Sequence, residues 1–136
     1  MDPHGLLELL RRAVDAHDID AVVSCFAPDY CNETPAHPGR SFEGHAQVRT
    51  NWTRIFAGLP DIEATVTRAV VDDDVVWSEW ELRGHRGDGI QQVLRGVIIF
   101  GATDAGFGWA RFYLEPVDDG EGGVDGAVRT IVEAEQ

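Results

Sequence analysis

The chain has no lysine: all eleven of its Lys-plus-Arg positions are arginine. Without a lysine amine there is no Schiff-base nucleophile and no Walker-type phosphate loop. Positive charge is scarce altogether. A net charge of −13 repels nucleic acid and anionic membranes, so neither is expected as a partner. Cysteine is nearly missing, with Cys25 in a helical pattern and Cys31 in the stretch after it; the two read as buried thiols rather than a disulfide framework. The histidines at 4, 17, 37, 45 and 85 show no H-x-H, H-x-x-x-H or H-E-x-x-H spacing, so no metal site and no cofactor is expected. No apolar run approaches the roughly 20 residues of a membrane span. The start M-D-P-H-G carries no basic n-region, which predicts a cytoplasmic protein.

What is present is a core. Of 136 residues 43% are hydrophobic, with four Trp and six Phe, enough for one globular domain. Asp2 and Pro3 make an N-cap and first helical position, and Leu6, Leu10, Ala13, Val14 and His17 recur at helical spacing. Asp18 caps a second, short helix with Ile19, Val22, Val23 and Phe26 on its apolar face, closed by Pro28. Residues 29–44 are dense in turn formers and read as a loop. A third helix spans His45 to Ala57, stopped by Gly58 and Pro60, with Val48, Trp52, Ile55 and Phe56 inward.

From Ile62 onward the period changes to two. Ile62, Ala64 and Val66 alternate with polar residues, Asp72 to Asp74 make a turn, and Val75 to Arg83 is a strand. After a turn at Gly84 to Gly89 come strands over Gln92 to Phe100 and Trp109 to Glu115. In the last of these Ala110, Phe112 and Leu114 point one way, and Arg111, Tyr113 and Glu115 the other. Helices followed by an antiparallel meander give an α+β fold: a cone-shaped, curved antiparallel β-sheet covered by three N-terminal helices, its open mouth suited to a small-molecule pocket. The domain is expected over 1–117, with an acidic, Gly-rich tail and weak helix over 118–136.

D-Y-C-N-E-T-P at 29–35, L-P-D-I-E-A-T-V at 59–66 and R-G-V-I-I-F at 95–100, followed by R-F-Y-L-E, resemble the nuclear transport factor 2-like superfamily, and within it the SnoaL-like, polyketide cyclase-like branch. The resemblance covers residues 5–117. It implies the cone fold, a homodimer, and an apolar organic ligand; the superfamily holds cyclases, isomerases, dehydratases, epoxide hydrolases and plain binding modules. Residue by residue, the carry-over is broken. The acid that SnoaL-like cyclases place in the last strand falls on Phe112. The general-base Asp of ketosteroid isomerases falls on Thr34, beside Glu33, and the Arg-x-Asp pair of epoxide hydrolases on Glu79 and Glu81. Only a Tyr-x-Asn pair, which helps hold a water, is matched, by Tyr30 and Asn32.

Two arrangements of the strand at 75–83 are open. If Trp77, Glu79, Glu81 and Arg83 face the cone, as the resemblance implies, Glu79 serves as base and Glu81 as its protonated partner, since close carboxylates raise each other's proton affinity. Asn32 then completes the catalytic set by holding the substrate oxygen. If Val76, Trp80 and Leu82 face the core, the glutamates pair with arginines on an outer face. The expected pocket lining is Tyr30, Asn32, Trp52, Phe56, Trp77 and Phe112. The leading function is cofactor-independent acid–base chemistry (cyclisation, isomerisation or dehydration) on an apolar carbonyl compound. The alternative is a non-catalytic ligand-binding or dimerisation module.

Overall fold

The computed structural model describes residues 2–133. Helix α1 (Pro3–Asp15) starts where Asp2 accepts a hydrogen bond from the Gly5 N–H at 2.7 Å, satisfying a donor that the first turn leaves open. Its buried stripe is Leu6, Leu7, Leu10, Ala13 and Val14. His17, at φ 54°, turns the chain into α2 (Ile19–Ser24), which Asp18 caps through the Ala21 N–H at 3.1 Å.

Helix α2 ends earlier than its apolar pattern predicts. Phe26 and Pro28 belong to strand β1 (Phe26–Glu33), so the start of the expected loop, residues 29–33, is sheet. Pairing explains why Pro28 is tolerated: β1 pairs with the last strand at Phe26 and again from Cys31, and the register shifts between them. A residue without an N–H costs little in such an irregular stretch. A single 3-10 turn at Pro38–Arg40 leads to the short β2 (Phe42–Glu43), which pairs antiparallel with β1. Helix α3 (His45–Gly58) matches the expected span; it buries Val48 and packs Trp52, Ile55 and Phe56 against the core.

The meander follows as β3 (Glu63–Asp72), β4 (Val75–His85), β5 (Gln91–Thr103) and β6 (Gly106–Pro116), antiparallel throughout. The full sheet runs β2-β1-β6-β5-β4-β3, and β1 lies parallel to β6, so the sheet is mixed at that edge rather than purely antiparallel. Strand β4 outlasts its expected end because the Asp61 carboxylate accepts from the His85 backbone N–H at 2.6 Å and meets its ring Nδ1 at 2.6 Å. Between β5 and β6, Gly101 lets the Trp109 indole lie against the backbone; a Cβ there would stand 1.9 Å from Nε1.

The core fills the space between the helices and the concave face of the sheet. Tyr30, Ile62, Val76, Phe100 and Phe107 are all but sealed from solvent, each contributing roughly 1.5–3 kcal/mol by burial. Helix α4 (Val124–Val132) buries no residue; the end of the expected tail, 134–136, lies outside the described residues. No helix among the described residues is long and apolar enough to cross a membrane.

Candidate functional site

A cavity of about 430 Å³ opens between α3 and the concave face of the sheet, within the size range of small-molecule pockets. Its walls are mostly apolar: Phe26, Phe42 and Trp52 meet Leu82, Leu94 and Phe112. A second, much smaller cavity of about 30 Å³ lies between α1 and the sheet, lined by Val14, Trp80 and Phe100 and sharing Phe26, Trp52 and Phe112 with the first.

Polar groups enter this wall from β1, whose alternation sends Tyr30 and Asn32 inward. The Tyr30 hydroxyl donates to Asn32 Oδ1 at 2.6 Å, and both side chains are buried. Burial pushes the Tyr30 phenol well above its ordinary range, with the nearby Cys31 adding to the shift, so Tyr30 is a donor rather than a base. With Oδ1 occupied by Tyr30, the Asn32 carboxamide keeps its N–H₂ for an occupant. Thr34, nearly sealed, follows on the same side of the chain and also lines the cavity. Arg40 and Asn51 complete the polar lining; Asn51 Oδ1 accepts from Gln47 Nε2 at 2.8 Å. No carboxylate and no imidazole is among the lining residues.

Four of the six residues expected to line the pocket do so: Tyr30, Asn32, Trp52 and Phe112. Phe56 is not a wall residue. It stands behind the wall, stacked on His17 with ring centroids 4.9 Å apart and tilted against Trp52 at 5.6 Å. A helix face is wide enough to split such neighbours between ligand side and core side.

Trp77, Glu79 and Glu81 lie on the other side of the sheet. Val76, Ser78, Trp80 and Leu82 are the buried face of β4, so the period of two sends Trp77, Glu79, Glu81 and Arg83 outward. Trp77 is 54% exposed. Glu79 accepts from the Thr67 hydroxyl at 3.0 Å. Glu81 binds Arg83 and, at 2.9 Å, Arg95; those two hydrogen bonds, Arg83's first, hold its carboxyl below the ordinary range. Of the two arrangements open from the sequence, the structure has the one with both glutamates outside the cone, where Glu81 pairs with arginines as expected and Glu79 is bound by Thr67 instead. Neither can reach an occupant of the cavity.

Arg111, Tyr113 and Glu115 face outward as well. Arg111 approaches Glu33 at 3.6 Å, and Glu115 meets His37 at 2.8 Å. Phe112, the last-strand position at which the resemblance implied an acid, sets its ring edge-on to Phe100 at 6.2 Å. Among the lining residues outside the expected set are Thr34, Arg40, Asn51, Leu94 and Leu114. For Leu114 the alternation of β6 was the available signal, since it shares a face with Phe112. Arg40 and Asn51 carry no local signal, because only chain closure brings the turn before β2 and the helix after it to one opening.

A family model described as the SnoaL-like domain matches residues 7–107. No curated protein matches the chain in sequence. Among solved structures, IdmH of Streptomyces antibioticus, a candidate polyketide cyclase, is 19% identical with a TM-score of 0.72, the match covering 84% of this chain and 92% of that one. A Mycobacterium tuberculosis protein solved with estradiol-17beta-hemisuccinate is 18% identical at a TM-score of 0.70, covering 82% and 92%. A candidate ketosteroid isomerase from Kribbella flavida is 17% identical at a TM-score of 0.67, covering 97% and 87%. At these identities the likeness is one of fold. The matched span runs from within α1 to the start of β6, and the chain belongs to the SnoaL-like domain family.

Proposed function

We propose that the protein binds a mainly apolar, carbonyl-bearing small molecule in the cavity, with the Asn32 N–H₂ holding its oxygen and Tyr30 fixing the Asn32 carboxamide. The observation that carries this reading is the lining itself: an apolar wall with a buried Tyr30–Asn32 pair and no carboxylate or imidazole. Proton abstraction from carbon needs a base within hydrogen-bond reach of the substrate, and Glu79 and Glu81 are on the wrong face. The acid–base mechanism built on them is therefore set aside in favour of the binding-module reading. The steroid ester held by the Mycobacterium tuberculosis neighbour is an apolar, oxygen-bearing body of the kind this cavity suits.

The test uses Prodan, a neutral naphthyl ketone whose emission reports hydrogen bonding at its carbonyl. It is expected to bind at roughly micromolar Kd. Asn32→Leu is expected to shift the bound emission to the blue and weaken binding several-fold, about the worth of one hydrogen bond. Leu114→Arg, which puts a charge into the wall, is expected to abolish binding with the circular dichroism spectrum retained. Equal binding by wild type and both variants would end this reading.

The same reading includes a second copy of the chain. The outer face of the sheet shows Trp77, Trp109, Tyr113 and Val70 exposed among charged side chains, a mixture common at interfaces. A homodimer through this face fits that composition. Sedimentation at micromolar concentration is expected to give twice the 14.9 kDa chain mass, and Trp77→Arg a monomer. A monomeric wild type would remove the dimer and leave the cavity reading standing.

A further inference from the structure

We infer that the occupant of the cavity is an organic acid: an apolar body bearing a carboxylate, which Arg40 receives at the mouth. The inference rests on the reading of the cavity as a ligand pocket and adds the charge of what enters it.

Eight of the eleven arginines are matched with acid. Arg11, Arg12, Arg49 and Arg86 pair with carboxylates near them. Arg83, Arg95, Arg111 and Arg129 do the same on the sheet and the last helix. Among the described residues only Arg40, Arg54 and Arg68 make no ion pair, and of these only Arg40 lines the cavity. With twenty-four acidic residues in the chain, a cation without an acidic partner at the edge of an apolar cavity is unusual. Two acids of the neighbouring strands are committed elsewhere, and Glu43 on β2 makes no ion pair among the described residues, with Arg40 or otherwise. Glu33 goes to Arg111 and Glu115 to His37, while Glu43 extends from β2 opposite the outward Cys31.

The rest of the lining agrees in sign. Asn32 and Asn51 each have their oxygen engaged by a neighbour, by Tyr30 and Gln47 respectively, which leaves both amides presenting N–H. The cavity thus offers donors and a cation, and no anion. A guanidinium binds a carboxylate through two parallel hydrogen bonds, and the apolar wall beside it limits competition from water. Arg40 sits on the exposed 3-10 turn Pro38–Arg40, where its side chain can meet a head group left at the opening while the body is buried.

The test compares cis-parinaric acid, which is fluorescent, with its methyl ester, which has the same chain and no charge. The wild-type protein is expected to bind the acid at least fivefold more tightly than the ester, the scale of one partly exposed ion pair. That preference is expected to shrink as salt is raised. Arg40→Gln is expected to bring the acid down to the ester's affinity, while Arg54→Gln, on the exposed side of α3, keeps the wild-type preference. Equal affinity for acid and ester in the wild type would overturn the inference while leaving the apolar pocket in place. So would an Arg40→Gln protein that weakens both by the same factor, since Arg40 would then be acting on the shape of the mouth. Binding of neither probe would overturn the pocket reading, and this inference with it.

Discussion

Trp80 donates its indole N–H to Ser78 Oγ at 2.8 Å, and Ser78 donates its own proton to the Ile98 carbonyl at 2.7 Å. All of this is buried, and it pins which side of β4 faces the core. A one-residue slip would carry Glu79 and Glu81 inward and leave an indole N–H among apolar side chains, so register here is strongly specified. Ser78→Ala removes the acceptor and leaves the indole donor unsatisfied. A loss of about 1–3 kcal/mol is expected, seen as a lower urea midpoint at unchanged m-value. An unchanged midpoint would mean the relay contributes nothing to holding the strand.

The outward glutamates give a second expectation. Glu79→Gln and Glu81→Gln should leave Prodan affinity within about twofold of wild type, because neither side chain touches the cavity; several-fold weakening would contradict their placement. Glu81 does bear on acid stability. Hydrogen bonds from Arg83 and Arg95 lower its carboxyl below the ordinary value of 4.5, so its contribution is fully present above that pH. It is lost as pH falls through the lower folded value. The acid limb of an unfolding curve is expected to be shallower in Glu81→Gln.

How much of this was legible depended on whether a residue's environment is made locally. The alternation of β6 gave the inward face of Ala110, Phe112 and Leu114 directly, and Asp2 and Asp18 marked their helix starts by their own chemistry. Strand β1 was hidden because Pro28, Asp29 and Asn32 are turn formers. The strand's pairing with β6, at Phe26 and from Cys31 to Glu33, comes from the far end of the chain, and tertiary contact overrides local preference. Strand β4 was ambiguous for a different reason. It carries a tryptophan on each face, so hydrophobicity could not choose between Trp77 and Trp80. The choice fell to Ser78, whose small hydroxyl satisfies the buried indole. Arg40 belongs to a third class, polar residues whose role exists only once two distant segments share an opening.

The tail offers a simple stability test. Val124, Val128, Ile131 and Val132 form the apolar stripe of α4, yet all are exposed, Ile131 at 82%. A segment that buries so little contributes little to folding. We therefore propose that the folded domain ends near residue 117, and a chain ended after Asp118 is expected to lose less than about 2 kcal/mol. An unfolded or insoluble truncation would show that the stripe is covered in solution.

Tyr30 yields the sharpest pH expectation. Its ring is 1% exposed and its hydroxyl is spent on Asn32, so the phenolate would be both desolvated and deprived of the bond it now donates. Burial, with Cys31 secondary, raises its folded value far above the unfolded value of 10.0. The unfolded chain thus gives up this proton first. Stability linked to Tyr30 is complete below about pH 10 and declines above it. The buried Cys25 thiol, pushed up to about 11, acts in the same direction, so alkaline unfolding alone does not isolate Tyr30; tyrosinate absorbance does. Only two tyrosines exist, and Tyr113→Phe makes Tyr30 the sole reporter. In that variant no 295-nm step is expected as pH rises past 10 while circular dichroism stays native. The step should come only with loss of structure, and abruptly. A gradual step in a protein still folded would mean that solvent reaches the hydroxyl, and that the Tyr30–Asn32 pair is not the sealed anchor on which ligand recognition has been built.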